Sequence, residues 1–162
     1  MCVNRGGITG AMGVSTSPTL EQQRDALISA DPHSRVDSLT TLTGSQRQVD
    51  WARDILASLY TAVNNIARKG FNLAGMQVEA DAQIQVHLEA ARYLREMLDA
   101  MTPQLTSAKT VIDARSFLSM QTISSMGARL ERNPAAMTQH APDVVASQML
   151  ARVQLLAARS AP

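Results

Sequence analysis

The chain has 162 residues, with 15 lysines and arginines against 14 acidic residues and a single cysteine. Its net charge of +1 excludes a polybasic arm and an acidic nucleic-acid mimic, because neither field can be built from so balanced a set. Aromatic residues make up only 3%, which disfavours a β-sandwich or barrel, whereas the abundance of helix-forming residues favours an all-α fold. Cys2 has no partner, so an intrachain disulfide and a cysteine zinc cluster are excluded.

The first 43 residues are predicted to hold little regular structure. Residues 1–18 are rich in glycine, serine and threonine, which predicts a flexible arm without a secretory signal. Residues 19–43 predict a short helix from Thr19 to Ala30, stopped by Asp31-Pro32, and then a linker from His33 to Thr43. No stretch has the roughly 20 apolar residues of a membrane span, so we expect a cytoplasmic protein without membrane contact.

Residues 44–160 predict the main domain, an antiparallel bundle of about four helices. Ser45 and Gln48 have the spacing of a capping box, and apolar residues from Val49 to Ile66 recur every three or four positions. The later helices are predicted from about Gly75 to Met101, from Thr106 or Ser107 to between Gly127 and Asn133, and from Pro142 onward. The last helix could instead pack on a second copy, so a homo-oligomer remains an alternative.

Catalytic and metal sites are not predicted. His33, His87 and His140 stand in separate segments, and the positions four residues from His87 are Gln83 and Ala91, so a helical metal-ligand pair is lacking. No nucleophile-elbow motif occurs. We therefore expect a non-catalytic protein without cofactor or metal.

Two short motifs resemble the signatures of a group of small bacterial and phage-borne helical domains of uncharacterised activity. Residues 44–55 (GSQRQVDWARDI) are similar to Gly-Ser-x-Lys/Arg-Gln-x-x-Trp-Ala-x-x-Ile, and residues 108–115 (AKTVIDAR) to Ala-Lys-Trp-Trp-Ile-Asp-Asn-Arg. Thr110, Val111 and Ala114 replace the two tryptophans and the asparagine of the second signature. The resemblance implies a helical domain encoded by a phage or mobile element and acting in the host cytoplasm.

The candidate interaction residues come from these motifs. Trp51 is either an aromatic anchor for a partner or a core or half-buried residue on a helix edge. Its position beside the Ile55 stripe favours the second interpretation. We expect Arg115 or Asp113 to make a partly buried polar contact with the region from Gln48 to Trp51, fixing the register of two helices.

The leading functional hypothesis is a module that binds a host or virion protein complex, for example as an inhibitor of a host defence complex. Two alternatives stay open. One is a nucleic-acid-binding regulator that uses the exposed arginines, namely Arg47, Arg53, Arg92 and Arg95. The other is a structural component of virion assembly. Interspersed acidic residues in the same helical bands weigh against the nucleic-acid interpretation, because they would repel a phosphate backbone.

Overall fold

The computed structural model describes residues 17–160 and is all-helical. Eight α-helices lie in this range, together with a 3-10 turn and two isolated bridges in place of any β-strand. The predicted arm, residues 1–18, lies outside the described residues except for its last two positions. The helices are α1 (Leu20–Leu27), α2 (Pro32–Leu39), α3 (Gln46–Ala67), α4 (Asp81–Met101), α5 (Ala108–Asp113), α6 (Met120–Arg132), α7 (Ala136–Gln139) and α8 (Pro142–Ser160).

Helix α2 occupies the segment that the sequence predicts as a linker. Asp31 accepts hydrogen bonds from the backbone N–H groups of His33 and Ser34, and Pro32 supplies the first helical residue. The Asp-Pro pair therefore begins a helix rather than only ending the previous one. Val36 is the buried residue of α2, so this short helix contributes to the core.

Helix α3 begins as the sequence predicts. The Ser45 hydroxyl accepts from the Gln48 N–H, while the Gln48 side chain accepts from the Ser45 N–H at 3.0 Å. These reciprocal bonds satisfy two backbone donors that the helix itself leaves unpaired. Past the end of α3, Gly70 has a φ of +85°, a left-handed conformation that favours glycine.

Helix α4 is the central element and packs against α1, α3, α6 and α8. Its apolar face is fully buried and includes Ile84, Leu88, Leu94 and Leu98. The helix begins at Asp81, later than the predicted Gly75, because the backbone N–H groups of Ala74 and Met76 both bond to the Asn72 side chain. That local hydrogen bonding competes with helix formation and produces a loop over residues 70–80.

The predicted third helix is two helices with a turn between them. Helix α5 is capped by Ser107 and ends at Asp113, and Ser119 then caps α6 by accepting from the Thr122 N–H. Leu118 in the turn and Ile123 in α6 are both buried. A single straight helix could not place both segments on the core, so the chain turns between them.

Helix α8 begins at Pro142, as predicted, and packs on α4 and α5. Its buried residues are Ala146, Met149, Leu150 and Val153. None of the helices in residues 17–160 is long and apolar enough to cross a membrane.

Candidate protein-binding site

The two motif segments, about 60 positions apart in sequence, lie side by side. Thr43 forms a parallel bridge with Ser107: its N–H donates to the Thr106 carbonyl at 2.8 Å, and its carbonyl accepts from the Ala108 N–H at 3.0 Å. Gly44 has a φ of +147°, and a Cβ there would lie 3.2 Å from the Ala108 Cβ. The start of α3 is therefore fixed directly against the start of α5.

Trp51 lies at the edge of this junction and is 47% exposed. Trp51 is not in the core, where Ala52 and Leu56 are fully buried. Its indole is instead half-buried at the edge of the helix, as the second interpretation allows. The Arg115 guanidinium carbon lies 5.4 Å from the centre of the Trp51 ring, within the range of a cation–π interaction. Arg115 also donates to the Ile112 carbonyl at 2.9 Å, which anchors the guanidinium at the end of α5.

An open groove of about 530 Å³ runs beside the Trp51 ring. We call it the Trp51 groove, and it is lined by Ser45, Arg47, Gln48, Trp51 and Asp54. All five side chains belong to α3 or its cap, so the helix backbone fixes their spacing. Asp54 bonds to His33 of α2 at 2.8 Å, whereas Arg47 has no hydrogen bond or ion pair with any residue of the described part.

The remaining predicted site residues are engaged elsewhere in the chain. Asp113 lies 2.5 Å from the Lys109 ammonium, one helical turn earlier, so Arg115 and not Asp113 contacts the Trp51 region. Arg53 makes two hydrogen bonds to Asp37 of α2, at 2.7 and 2.6 Å. These bonds lower the pKa of the Asp37 carboxyl below its usual value.

The second arginine band, on α4, is also partly used within the fold. Arg95 donates to the backbone carbonyls of Ala26 and Leu27, at 2.8 and 3.1 Å, and so joins the end of α1 to α4. Arg92 lines a shallow groove together with Glu89 and Glu96. Two of the four arginines in the nucleic-acid hypothesis, Arg53 and Arg95, therefore bond to groups of this chain.

A polar cluster that the sequence did not predict joins α2, α3 and α4. Asp99 accepts from the Arg35 guanidinium at 2.5 and 3.3 Å and from the Tyr60 hydroxyl at 2.8 Å. Burial raises the pKa of Tyr60, so its hydroxyl remains a donor at neutral pH. The only sequence signal for this contact is the presence of charged residues on two helices, which does not identify the pairs.

A second unpredicted cluster surrounds His87 of α4. Its ring nitrogens lie 2.7 Å from the Glu131 carboxylate and 2.9 Å from the Glu79 carboxylate, and Lys69 contacts Glu131 at 2.9 Å. These residues belong to four different segments, so helical spacing around His87 could not indicate them. No group of His, Cys, Asp and Glu residues suited to holding a metal ion occurs in residues 17–160.

Comparison of the chain with known protein families, curated proteins and solved structures finds no match.

Proposed function

We propose that this protein is a non-catalytic helical module that binds another protein through the Trp51 groove. The observation that carries the proposal is the half-exposed indole of Trp51, held by Arg115 at a junction of two helices. Tryptophan and arginine are enriched among the residues that dominate binding energy at protein interfaces. A solvent-exposed apolar ring in a fixed position gives a partner apolar surface to bury and a defined geometry for the contact.

Preorganisation supports the same proposal. The groove lies on α3, whose first turn is closed by the capping box and whose start is bonded to the segment before α5. Little side-chain or backbone entropy is then lost when a partner binds, which favours affinity from a small contact area.

Charge indicates the chemistry of the partner surface. Arg47 lines the groove with its guanidinium unpaired within the described residues, and the Arg115 guanidinium covers the ring nearby. A partner segment that combines an apolar side chain for the indole with a carboxylate for Arg47 would complement this surface. The resemblance of both motifs to phage-borne domains is the basis for proposing a host or virion protein complex as that partner.

The test is affinity capture of the tagged chain from the cell that carries its gene, at about 0.5 M salt, where nucleic-acid complexes weaken steeply. Trp51→Ala is compared with Leu155→Ala, a control on α8 whose leucine is also 47% exposed. We expect one protein to be retained by the wild type and by Leu155→Ala, with its Kd raised about thirtyfold or more by Trp51→Ala.

A second comparison tests the charge argument. Arg47→Glu is expected to weaken the complex, whereas Arg92→Glu on α4 leaves it unchanged. Equal binding by Trp51→Ala and the wild type would refute the proposal. If a parallel capture at low salt retains only nucleic acid, and about 0.5 M salt releases it, the arginine hypothesis is favoured instead. If light scattering shows self-association that Trp51→Ala abolishes, the partner is a second copy of the chain.

A further inference from the structure

The imidazole of His87 is bonded to a carboxylate on each side. Nδ1 lies 2.7 Å from Glu131 and Nε2 lies 2.9 Å from Glu79. A carboxylate only accepts hydrogen bonds, and a neutral imidazole has one N–H to donate. Lys69 donates to the second oxygen of Glu131 at 2.9 Å, so this carboxylate has a cation on its other side. Both bonds therefore exist together when the ring is an imidazolium.

The cluster connects four segments of the chain. His87 lies on α4, Glu131 in the last turn of α6, Lys69 just past the end of α3, and Glu79 near the end of the 70–80 loop. In the described residues, no other carboxylate oxygen lies within 4.0 Å of either ring nitrogen. The charged groups bonded to the imidazole are thus two acids, and one of these acids also pairs with Lys69.

The two carboxylates differ in their access to water. The side chains of His87 and Glu131 are 12% and 14% exposed, whereas that of Glu79 is 44% exposed. A neutral ring has a single N–H, and we expect this N–H to stay bonded to the buried Glu131 oxygen. A buried acceptor left without a hydrogen bond loses free energy, whereas the exposed Glu79 carboxylate can bond to water instead. Deprotonation of His87 therefore removes the bond to Glu79.

The bond to Glu79 secures the base of the 70–80 loop. Next to it, the N–H groups of Val78 and Glu79 donate to the Gly70 carbonyl at 2.8 and 3.2 Å, which closes the loop on itself. The far side of the loop exposes three apolar side chains: Leu73, Met76 and Val78. The Leu73 side chain is fully exposed, so the loop holds an apolar tip in solvent.

We infer that His87 is a pH-sensitive clamp for the 70–80 loop. The imidazolium holds Glu79 and keeps the loop closed, and the clamp opens when the ring loses its second proton. The sign of the pH dependence follows from the number of ring N–H groups, because only the imidazolium has two and can bond to both acids. Opening frees the base of the loop while α4 and α6 remain joined through Glu131.

The test is hydrogen exchange by mass spectrometry on peptides that cover the loop, at about pH 5.5 and about pH 8.5, with labelling times scaled to the intrinsic exchange rate at each pH. In the wild type we expect protection of the Val78 and Glu79 amides to fall about tenfold or more at the higher pH. His87→Gln should show low protection at both pH values. His33→Gln is the matched control, because His33 bonds to one exposed acid, Asp54, and should behave as the wild type.

Glu79→Ala removes the acceptor for His87 Nε2 but keeps the pairing of His87 with Glu131, and so separates loop opening from a folding defect. It should lower protection of the loop at both pH values while α4 and α6 exchange as in the wild type. Two results would overturn the inference. One is wild-type loop protection that is equal at the two pH values, and the other is a pH dependence that persists in either His87→Gln or Glu79→Ala.

Discussion

Gly127 offers a sharp test of how closely α6 approaches α3. It lies inside α6 and is buried, and a Cβ built there would lie 2.6 Å from Ile66 Cδ1 and 3.5 Å from Leu94 Cδ1. Replacing a helical glycine by alanine ordinarily stabilises a helix by about 1 kcal/mol. At this position the new methyl group overlaps a core side chain that has almost no access to solvent, and overpacking of that kind costs about 1–3 kcal/mol. We expect Gly127→Ala to destabilise the protein by about 1 kcal/mol.

A second substitution isolates the cause. Ile66→Val removes the overlapping Cδ1, after which the nearest contacts to the new methyl group are Ile66 Cγ1 at 3.4 Å and Leu94 Cδ1 at 3.5 Å, close to ordinary van der Waals separation. In that background Gly127→Ala should become neutral or stabilise by up to about 1 kcal/mol, a coupling of about 1–2 kcal/mol between the two sites.

The assay is urea unfolding of the four proteins of this double-mutant cycle, followed by far-ultraviolet circular dichroism. Stabilisation of the wild type by Gly127→Ala, or the same effect in both backgrounds, would refute the assigned contact between α6 and α3. A change in the slope of free energy against urea would indicate that the denatured state had changed instead.

Three further substitutions test other contacts by the same unfolding measurement. Asn64 is buried and bonds to both the N–H and the carbonyl of Ser29 at 2.9 Å. The nearly isosteric Asn64→Asp loses the donor and should lower the free energy of unfolding by about 1–3 kcal/mol. An unchanged free energy of unfolding would contradict this pairing. Asp99→Asn weakens the contacts that join α2 to α4. It should lower the free energy of unfolding by about 1–2 kcal/mol. An unchanged urea midpoint would show that the Asp99 contacts do not contribute to stability. Gly44→Ala places a side chain at a positive φ and brings its Cβ to 3.2 Å from the Ala108 Cβ. It should lower the free energy of unfolding by about 1–3 kcal/mol. A stabilised variant would contradict the close junction of α3 with α5.

The sequence was sufficient to predict α3 and the start of α8 because their signals are local. The capping box at Ser45 and Gln48 specifies where α3 begins, and Pro142 specifies where α8 begins. The buried stripe of α4, including Leu88 and Leu94, is also visible in the spacing of its apolar residues. Such features depend on neighbours within one or two turns, which the sequence lists directly.

The sequence-based predictions that were wrong, the linker at α2 and the single helix over α5 and α6, share one cause. In both places the local sequence allows more than one structure, and packing against distant residues decides between them. Asp31-Pro32 can end one helix or begin the next, and the burial of Val36 against the core decides between them. The turn between α5 and α6 is similarly set by the need to bury both Leu118 and Ile123. Neither choice can be read from local spacing.

The candidate site was only partly predictable for the same reason. The motifs indicated Gln48, Trp51 and Arg115, and the structure places all three near the junction of α3 with α5. The exposure of Trp51 depends on where α5 ends its contact with α3, which spacing along α3 does not encode. The partners of His87 lie 8 and 44 positions away, so no helical period relates them.

The central claim is that Trp51 contacts the partner protein. Because the chain has one tryptophan, labelling with 5-fluorotryptophan gives a single ¹⁹F resonance that reports on this ring alone. On addition of the captured partner, we predict that this resonance is replaced by a new one in the complex, and that duplex DNA leaves it in place. A complex that forms while the resonance keeps its position would contradict the claim that Trp51 lies in the interface.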